Sequence, residues 1–237
     1  MTERCVVYCA TKSFYPKVLP SARSLLKHNR IDRLYILAED VNIPELDELF
    51  DGVKQNLNVI NVQNQQWFPR TGPNFSSIYS YMVLVKMALC HILPPNVHKV
   101  LALDCDTIIE GDISGIWDTD LSDAYFAGVP EQHKTTGNTV YVNGGVILWN
   151  LDKMRDGKAD ELIRDLNRNF YMYKEQDAMN KLCQGHITLL DPRYNACDFS
   201  GKVHDPLIRH FAAHRDWYEI NPYVQPYKKR RDRYAGQ

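Results

Sequence analysis

The residues most able to do chemistry sit in the run HKVLALDCDTIIEGD, residues 98–112, where the aspartates Asp104 and Asp106 stand one residue apart. Val100, Leu101, Ala102 and Leu103 precede them as an apolar strand pattern. Carboxylates at the end of a buried strand cost free energy unless something compensates them, and a metal ion is the usual compensator. At i and i+2 the two groups share a face if the strand continues and converge if it turns. An all-oxygen pair suits hard ions such as Mg²⁺ or Mn²⁺, which in turn suit diphosphates. Lys86 stands among Met82, Val83, Val85 and Met87, and an amine in that setting wants an anionic partner. Gly144 and Gly145 interrupt a strand pattern, which signals a bulge or a close approach of a ligand to the backbone.

The elements that must hold these residues alternate in type. Strand patterns cover residues 4–10, 33–38, 57–62 and 99–104. A helix with Leu19, Ala22, Leu25 and Leu26 on one face follows the first, and Pro44 opens a helix after the second. A long helix is expected over residues 76–93, stopped by Pro94 and Pro95. This alternation implies an α/β fold with a largely parallel sheet covered on both faces, whose ligands lie at the carboxyl ends of the strands. Asp104 and Asp106 fall at such an end. Further strands are expected at 124–129, 140–150, 186–190 and 207–211, and helices at 160–170 and 176–183. The 237 residues fit one domain without a linker. Residues 221–237 read as a basic tail beyond it.

Two enzyme classes end an apolar strand in D-x-D. In haloacid-dehalogenase-like phosphatases the first Asp is a nucleophile and a Thr follows the second, as Thr107 does here. That class places the motif near the chain start and needs a later strand ending in a pattern such as G-D-x-x-x-D, which nothing after Ser114 supplies. The other class is the GT-A glycosyltransferases, and here the remaining blocks agree. The sequence resembles glycosyltransferase family 8, which includes glycogenin and bacterial lipopolysaccharide galactosyl- and glucosyltransferases. The resemblance is carried by DCDTIIEGDISGIWDTDL, YVNGGVILWNLDKMR, YKEQDAMN and IRHFAAHRDW in that order, with VYCATKSFYPKVLPSARSLL and VLVKMALCHILP before them.

The resemblance implies a single GT-A domain over residues 1–237, with a nucleotide-binding half up to about residue 106 that ends in D-x-D and a sugar and acceptor half over about 107–220. Its activity would be retaining transfer of a hexose from UDP-glucose or UDP-galactose to a hydroxyl acceptor. It implies Mn²⁺, with Mg²⁺ as second choice, held by Asp104, Asp106 and His210, with His214 as rival third ligand. Phe14 would stack on uracil beside Tyr15, with Ala10 and Thr11 reading the base. Lys86, Cys105, Gly144 and Gly145 would contact the donor. Asn143, Glu131, Glu175, Gln176 and Asp177 would surround the donor sugar, and Gln176 would face the sugar opposite the leaving group. Front-face attack assisted by the leaving phosphate is the alternative to any covalent role. In the last block the family's Gly and Lys-Pro are missing; Ala213 would supply a backbone N–H and Arg215 the phosphate clamp. That departure leaves a catalytically degenerate sugar-nucleotide or glycan-binding module as a non-enzyme alternative, beside the phosphatase or another metal-dependent nucleotide enzyme.

Composition narrows partners more than it names them. Hydrophobic residues make up 44% and the formal net charge is -1, so no global field for nucleic acid is expected. The basic stretch YKKRRDRY, residues 227–234, is either a solvated tail or a weak contact with anionic lipid. Six cysteines without a C-x-x-C pair, and no signal-like or membrane-length apolar run, imply a reducing cytoplasm. The acceptor is left open among glycan, lipid-linked and protein hydroxyls, as is the oligomeric state.

Overall fold

The computed structural model describes residues 3–39 and 56–212. The expected Pro44 helix, the basic tail, Ala213, His214 and Arg215 lie outside them. Nine strands are present among the described residues: β1 Cys5–Ala10, β2 Arg33–Ala38, β3 Leu57–Asn61, β4 Lys99–Leu103, β5 Thr107–Ile109, β6 Phe126–Pro130, β7 Val142–Asn150, β8 Ile187–Leu189 and β9 Ile208–His210. Seven form one sheet in the order β3-β2-β1-β4-β7-β6-β8. Only β7 runs against the others, pairing antiparallel with β4 and β6. The mixed, mostly parallel α/β sheet expected from the sequence is therefore the fold.

Both faces of the sheet are buried, so its strands read as nearly unbroken apolar runs. Strand periodicity sends Val6 and Tyr8 to one core with Leu19, Leu25 and Trp117, and Val7 to the other with Val85, Met87 and Met179. The helix Tyr15–His28 covers the first face through Val18, Leu19, Ala22 and Leu25. The helices Ala159–Arg168 and Lys174–Leu182 cover the second, close to their expected bounds. From β1 the chain builds β2 and β3 outward on one side, then returns to place β4 on the other. A crevice opens where that order reverses, between the ends of β1 and β4. Ala10 and Asp104 stand at its two lips.

The long helix expected over residues 76–93 does not form. Residues 76 and 80 make an antiparallel bridge, Ser80 has φ 55°, and α-helix is confined to Leu89–Ile92 after a 3₁₀ stretch Leu84–Ala88. The Ser76 hydroxyl accepts from the Ile78 and Tyr79 amides, a local bond that competes with helix. Every residue from Leu84 to Cys90 is buried, including Lys86, so the segment has no solvent-facing side for an amphipathic helix to present. An apolar run of this kind reads as a helix from its pattern, yet the left-handed Ser80 and the Ser76 turn break its first half.

Past the main sheet, β5 and β9 form a separate antiparallel pair in which Thr107 lies opposite His210. That ladder carries a residue from the chain's far end to the turn after β4.

Candidate active site

The turn after β4 is fixed from both sides. The Asp104 amide donates to the Gly145 carbonyl at 2.8 Å, and the Thr107 hydroxyl donates to the Asp104 carbonyl at 2.9 Å. The strand ends there, and the two carboxylates converge. His210 Nε2 stands 3.3 Å from Asp106 Oδ1 and 3.7 Å from Asp104 Oδ2. One ligand atom from each of the three residues lies within 4.8 Å of the others. Burial alone would push the His210 imidazole down, but Asp106, and after it the Cys197 side chain and Asp104, outweigh it and raise it to about 10. Asp106, whose burial opposes ionisation, is held low chiefly by that imidazole. The pair of carboxylates thus demands a positive charge between them. Two carboxylates and one imidazole are a donor set that fits a hard or borderline divalent cation such as Mn²⁺ or Mg²⁺.

Lys86 meets the anionic partner its setting called for. Its buried ammonium donates to Asp104 Oδ1 and to the Gly144 carbonyl at 3.0 Å, and lies 4.0 Å from Glu175 Oε1. Burial pushes the Glu175 carboxyl up to about 7, against the pull of Lys86. Glu175 is buried in the first turn of the Lys174–Leu182 helix.

Gln176 and Asp177 follow on the same helix. The Gln176 Oε1 accepts from the Gly144 amide at 2.7 Å, while its Nε2 donates to Glu131 Oε1 at 3.0 Å and to the Tyr141 hydroxyl at 3.1 Å. Asp177 accepts from that hydroxyl and from the Tyr173 amide. Asn143 donates to Glu131 Oε1 at 2.9 Å. Glu131, Asn143, Gln176 and Asp177 are therefore one connected group. Lys134, 3.0 Å from Glu131 Oε2, closes it between the rings of Tyr141 and Tyr173.

The two glycines have different reasons. A Cβ on Gly145 would fall 2.0 Å from His210 Cε1, so the close approach to this backbone is by a histidine ring rather than by a ligand. A Cβ on Gly144 would meet Gln176 Oε1 at 3.3 Å, a tight contact with a movable side chain. The expected bulge is also present: Gly128 lies opposite Ile147 and Pro130 opposite Val142, so β7 carries extra residues across both glycines where its pairing with β6 shifts.

The β1 end of the crevice is less tightly built. Ala10 is buried, and the Thr11 and Ser13 hydroxyls lie 3.0 Å apart. The half-buried Phe14 ring is 5.6 Å from that of Tyr79, with Lys17 over it. Tyr15, expected beside the base, is instead in the core, its hydroxyl donating to the Glu39 carbonyl at 2.8 Å. Cys105 likewise turns its thiol inward, 3.7 Å from the Cys9 carbonyl, so only its backbone faces the turn. The reading of residue types passed over Glu39, a buried acid just past β2. Its Oε1 accepts from the Ser80 hydroxyl and pairs with Arg70 at 2.9 Å. It also passed over Asn195, fully buried, whose Oδ1 lies 2.9 Å from His210 Nδ1 and whose Nδ2 donates to Asn143 Oδ1 at 3.0 Å. A chemical signal existed for Glu39, an acid ending an apolar run; none existed for Asn195.

Residues 5–211 match the family described as glycosyl transferase family 8. The match spans both halves of the chain, which a phosphatase reading leaves without account. The chain is 27% identical to the lipopolysaccharide 1,2-glucosyltransferase of Escherichia coli (strain K12), over 96% of this chain and 78% of that protein. It is 22% identical to glycosyltransferase GlyB of Streptococcus pneumoniae, over 93% of this chain but 54% of the relative. In fold it is similar to the galactosyltransferase LgtC crystallised with donor and acceptor sugar analogues, with a TM-score of 0.74, 19% identity and 94% of each chain covered.

Proposed function

The chain belongs to glycosyl transferase family 8, a family of glycosyltransferases, and from that premise we propose a retaining, metal-dependent hexosyl transfer from UDP-glucose or UDP-galactose to a hydroxyl of a glycan, lipid-linked sugar or protein. The observation that carries the reading is the convergence of Asp104, Asp106 and His210 at the switch point of the sheet. The names of two similar proteins, a glucosyltransferase and a galactosyltransferase, support transfer of a hexose without choosing between glucose and galactose.

Asp104, Asp106 and His210 would hold Mn²⁺, or Mg²⁺ in second place. That ion supplies Lewis-acid neutralisation of the charge that builds on a departing diphosphate. The chain's own groups do the rest. Asp104 is oriented by Lys86, whose ammonium also holds the Gly144 carbonyl. Phe14 and Tyr79 offer aromatic faces at the β1 end for a base, with Thr11 beside them. Asn143 and Gln176, joined through Glu131 Oε1, would lie beside the donor sugar on the resemblance. Gln176 is an amide with both ends engaged, so it can stabilise an oxocarbenium-like centre with its second Oε1 lone pair but is no covalent nucleophile. Front-face attack, with the leaving diphosphate taking the acceptor proton, suits such a site. The anion-holding Ala213 and Arg215 of the last block belong to this proposal on the resemblance alone. Six unpaired cysteines support a reducing compartment.

The test is UDP release from a panel of nucleotide sugars, with and without Mn²⁺, for wild type and Asp106→Asn. Release from UDP-glucose or UDP-galactose that needs both metal and Asp106 supports the reading. Phosphate release from simple esters with no UDP-sugar turnover would return the phosphatase alternative, and UDP-sugar binding without turnover the degenerate one.

A further inference from the structure

We propose that Asn195 is a positioning residue that couples the metal ligand His210 to the sugar-facing amides, and that two backbone amides, those of Gly144 and Gly145, fix the polarity of the whole chain of bonds. The inference rests on the metal-dependent reading above and names what governs that site.

Two atoms in this network have roles that admit no choice, the amide nitrogens of Gly144 and Gly145. A backbone N–H can only donate. The Gly145 amide donates to one end of the Asn143 side chain at 3.0 Å, so that end is the oxygen. The Asn195 side chain meets the same oxygen at 3.0 Å and must present its NH₂ there. Its own oxygen then faces His210 Nδ1 at 2.9 Å, and Nδ1 must carry the hydrogen. Nε2, on the side of Asp104 and Asp106, is therefore the nitrogen left to coordinate. A ligand histidine whose second nitrogen is held this way keeps its ring plane and gains basicity. The assignment of amide and imidazole orientations, ordinarily a matter of network choice, is here forced.

With its oxygen committed, Asn143 turns its NH₂ to Glu131 Oε1 at 2.9 Å. Glu131 Oε1 also accepts the Gln176 NH₂ at 3.0 Å, which agrees with the Gly144 amide donating to the Gln176 oxygen at 2.7 Å. Both ends of the network are thus pinned by neighbouring peptide groups of β7, and every bond between them has one permitted direction. Asn143, Glu131, Asn195 and His210 are all buried, with Asn195 at 0% exposure, so water offers no substitute partner. Buried networks of this kind lose more when one member is removed than a single pair would.

Asn195 is the only member that touches both arms, and two substitutions separate them. Asn195→Leu removes both bonds. Asn195→Asp keeps an acceptor for His210 but sets an oxygen against the Asn143 oxygen, breaking only the arm toward Gln176. Mn²⁺ affinity is measured without donor, from the free-ion paramagnetic resonance signal, and turnover is measured at saturating Mn²⁺, with thermal unfolding as a check on folding. Asn195→Leu is expected to weaken Mn²⁺ binding about 10–100-fold. Asn195→Asp is expected to bind Mn²⁺ within about threefold of wild type yet lose at least about tenfold in kcat, the range of a mispositioned catalytic group. If Asn195→Leu does not fold, the Asn195→Asp split between binding and kcat carries the test. Wild-type Mn²⁺ affinity in Asn195→Leu, or wild-type kcat in Asn195→Asp, would overturn the inference while leaving the functional reading intact. Absence of Mn²⁺ binding by the wild-type chain would overturn both.

Discussion

A single methyl group on Gly145 should disable the metal site. The Cβ of Gly145→Ala would lie 2.0 Å from His210 Cε1, 2.5 Å from Nδ1 and 2.7 Å from Nε2. An ordinary contact begins at 3.4 Å, so ring and strand must separate by about 1.4 Å. The ring is rigid and buried, and the Gly145 residue is tied through both its carbonyl, which accepts from the Asp104 amide, and its N–H, which donates to Asn143, so the histidine gives way first. Metal–ligand distances tolerate about 0.2 Å, which places the displaced Nε2 outside coordination. Loss of one of three protein ligands should weaken Mn²⁺ binding at least about 100-fold, or about 2.8 kcal/mol at 1.4 kcal/mol per decade. Overpacking should in addition lower global stability by about 1–3 kcal/mol. The neighbouring Gly144→Ala is the internal control: its Cβ meets a movable Gln176 oxygen at 3.3 Å, and Mn²⁺ binding should stay within a few fold. Isothermal titration of Mn²⁺ into both variants, with urea unfolding of each, reads these effects separately. Equal Mn²⁺ affinity in Gly145→Ala and wild type would refute the geometry.

Three further expectations follow from the same packing. Lys86→Met keeps the side-chain length but leaves Asp104 and the buried Glu175 without their cation; with Asp104 about a third exposed, urea unfolding should show a loss of about 2 kcal/mol, below the 3–5 of a fully buried pair. An unchanged midpoint would mean the ammonium is not needed there. Burial raises Glu175 from 4.5 to about 7, so the folded state holds an extra proton between those pH values and metal-free stability should fall as pH rises through that window. The total is on the order of 3 kcal/mol, and Glu175→Gln should flatten this part of the profile; a slope that survives the substitution points to another group. Thr107→Val removes the hydroxyl that donates to the Asp104 carbonyl and meets Ser21 at 2.8 Å, and should cost about 1–3 kcal/mol in thermal unfolding while Thr107→Ser recovers most of it.

The parts of the site that the sequence exposes are those whose chemistry clashes with their surroundings. Asp104 and Asp106 end an apolar strand, and Lys86 stands in an apolar run; each is costly alone, and the three prove to be neighbours. The strands were readable for a related reason, since a sheet buried on both faces writes itself as continuous apolar runs. His210 is different. It is 104 positions beyond Asp106, and only the β5–β9 ladder, short and separate from the main sheet, brings the two together. Family resemblance named it, not local pattern. Residues 76–93 misled because their apolar run looks like good helix sequence until Ser80 turns left-handed and Ser76 bonds its own loop. Asn195 sits in a 3₁₀ turn within DPRYNACDFS, where no periodicity marks an inward-facing amide. Its role exists only once Asn143 and His210 are in place.

The central claim is that Asp104, Asp106 and His210 hold a metal on which the diphosphate of a UDP-sugar docks. Its most direct measurement is calorimetric titration of UDP into the protein with Mn²⁺ and again with the metal chelated. UDP binding that falls at least about 100-fold on chelation, and is equally weak in Asp104→Asn with Mn²⁺ present, is the predicted result. UDP binding that is indifferent to both the chelator and the substitution would contradict it.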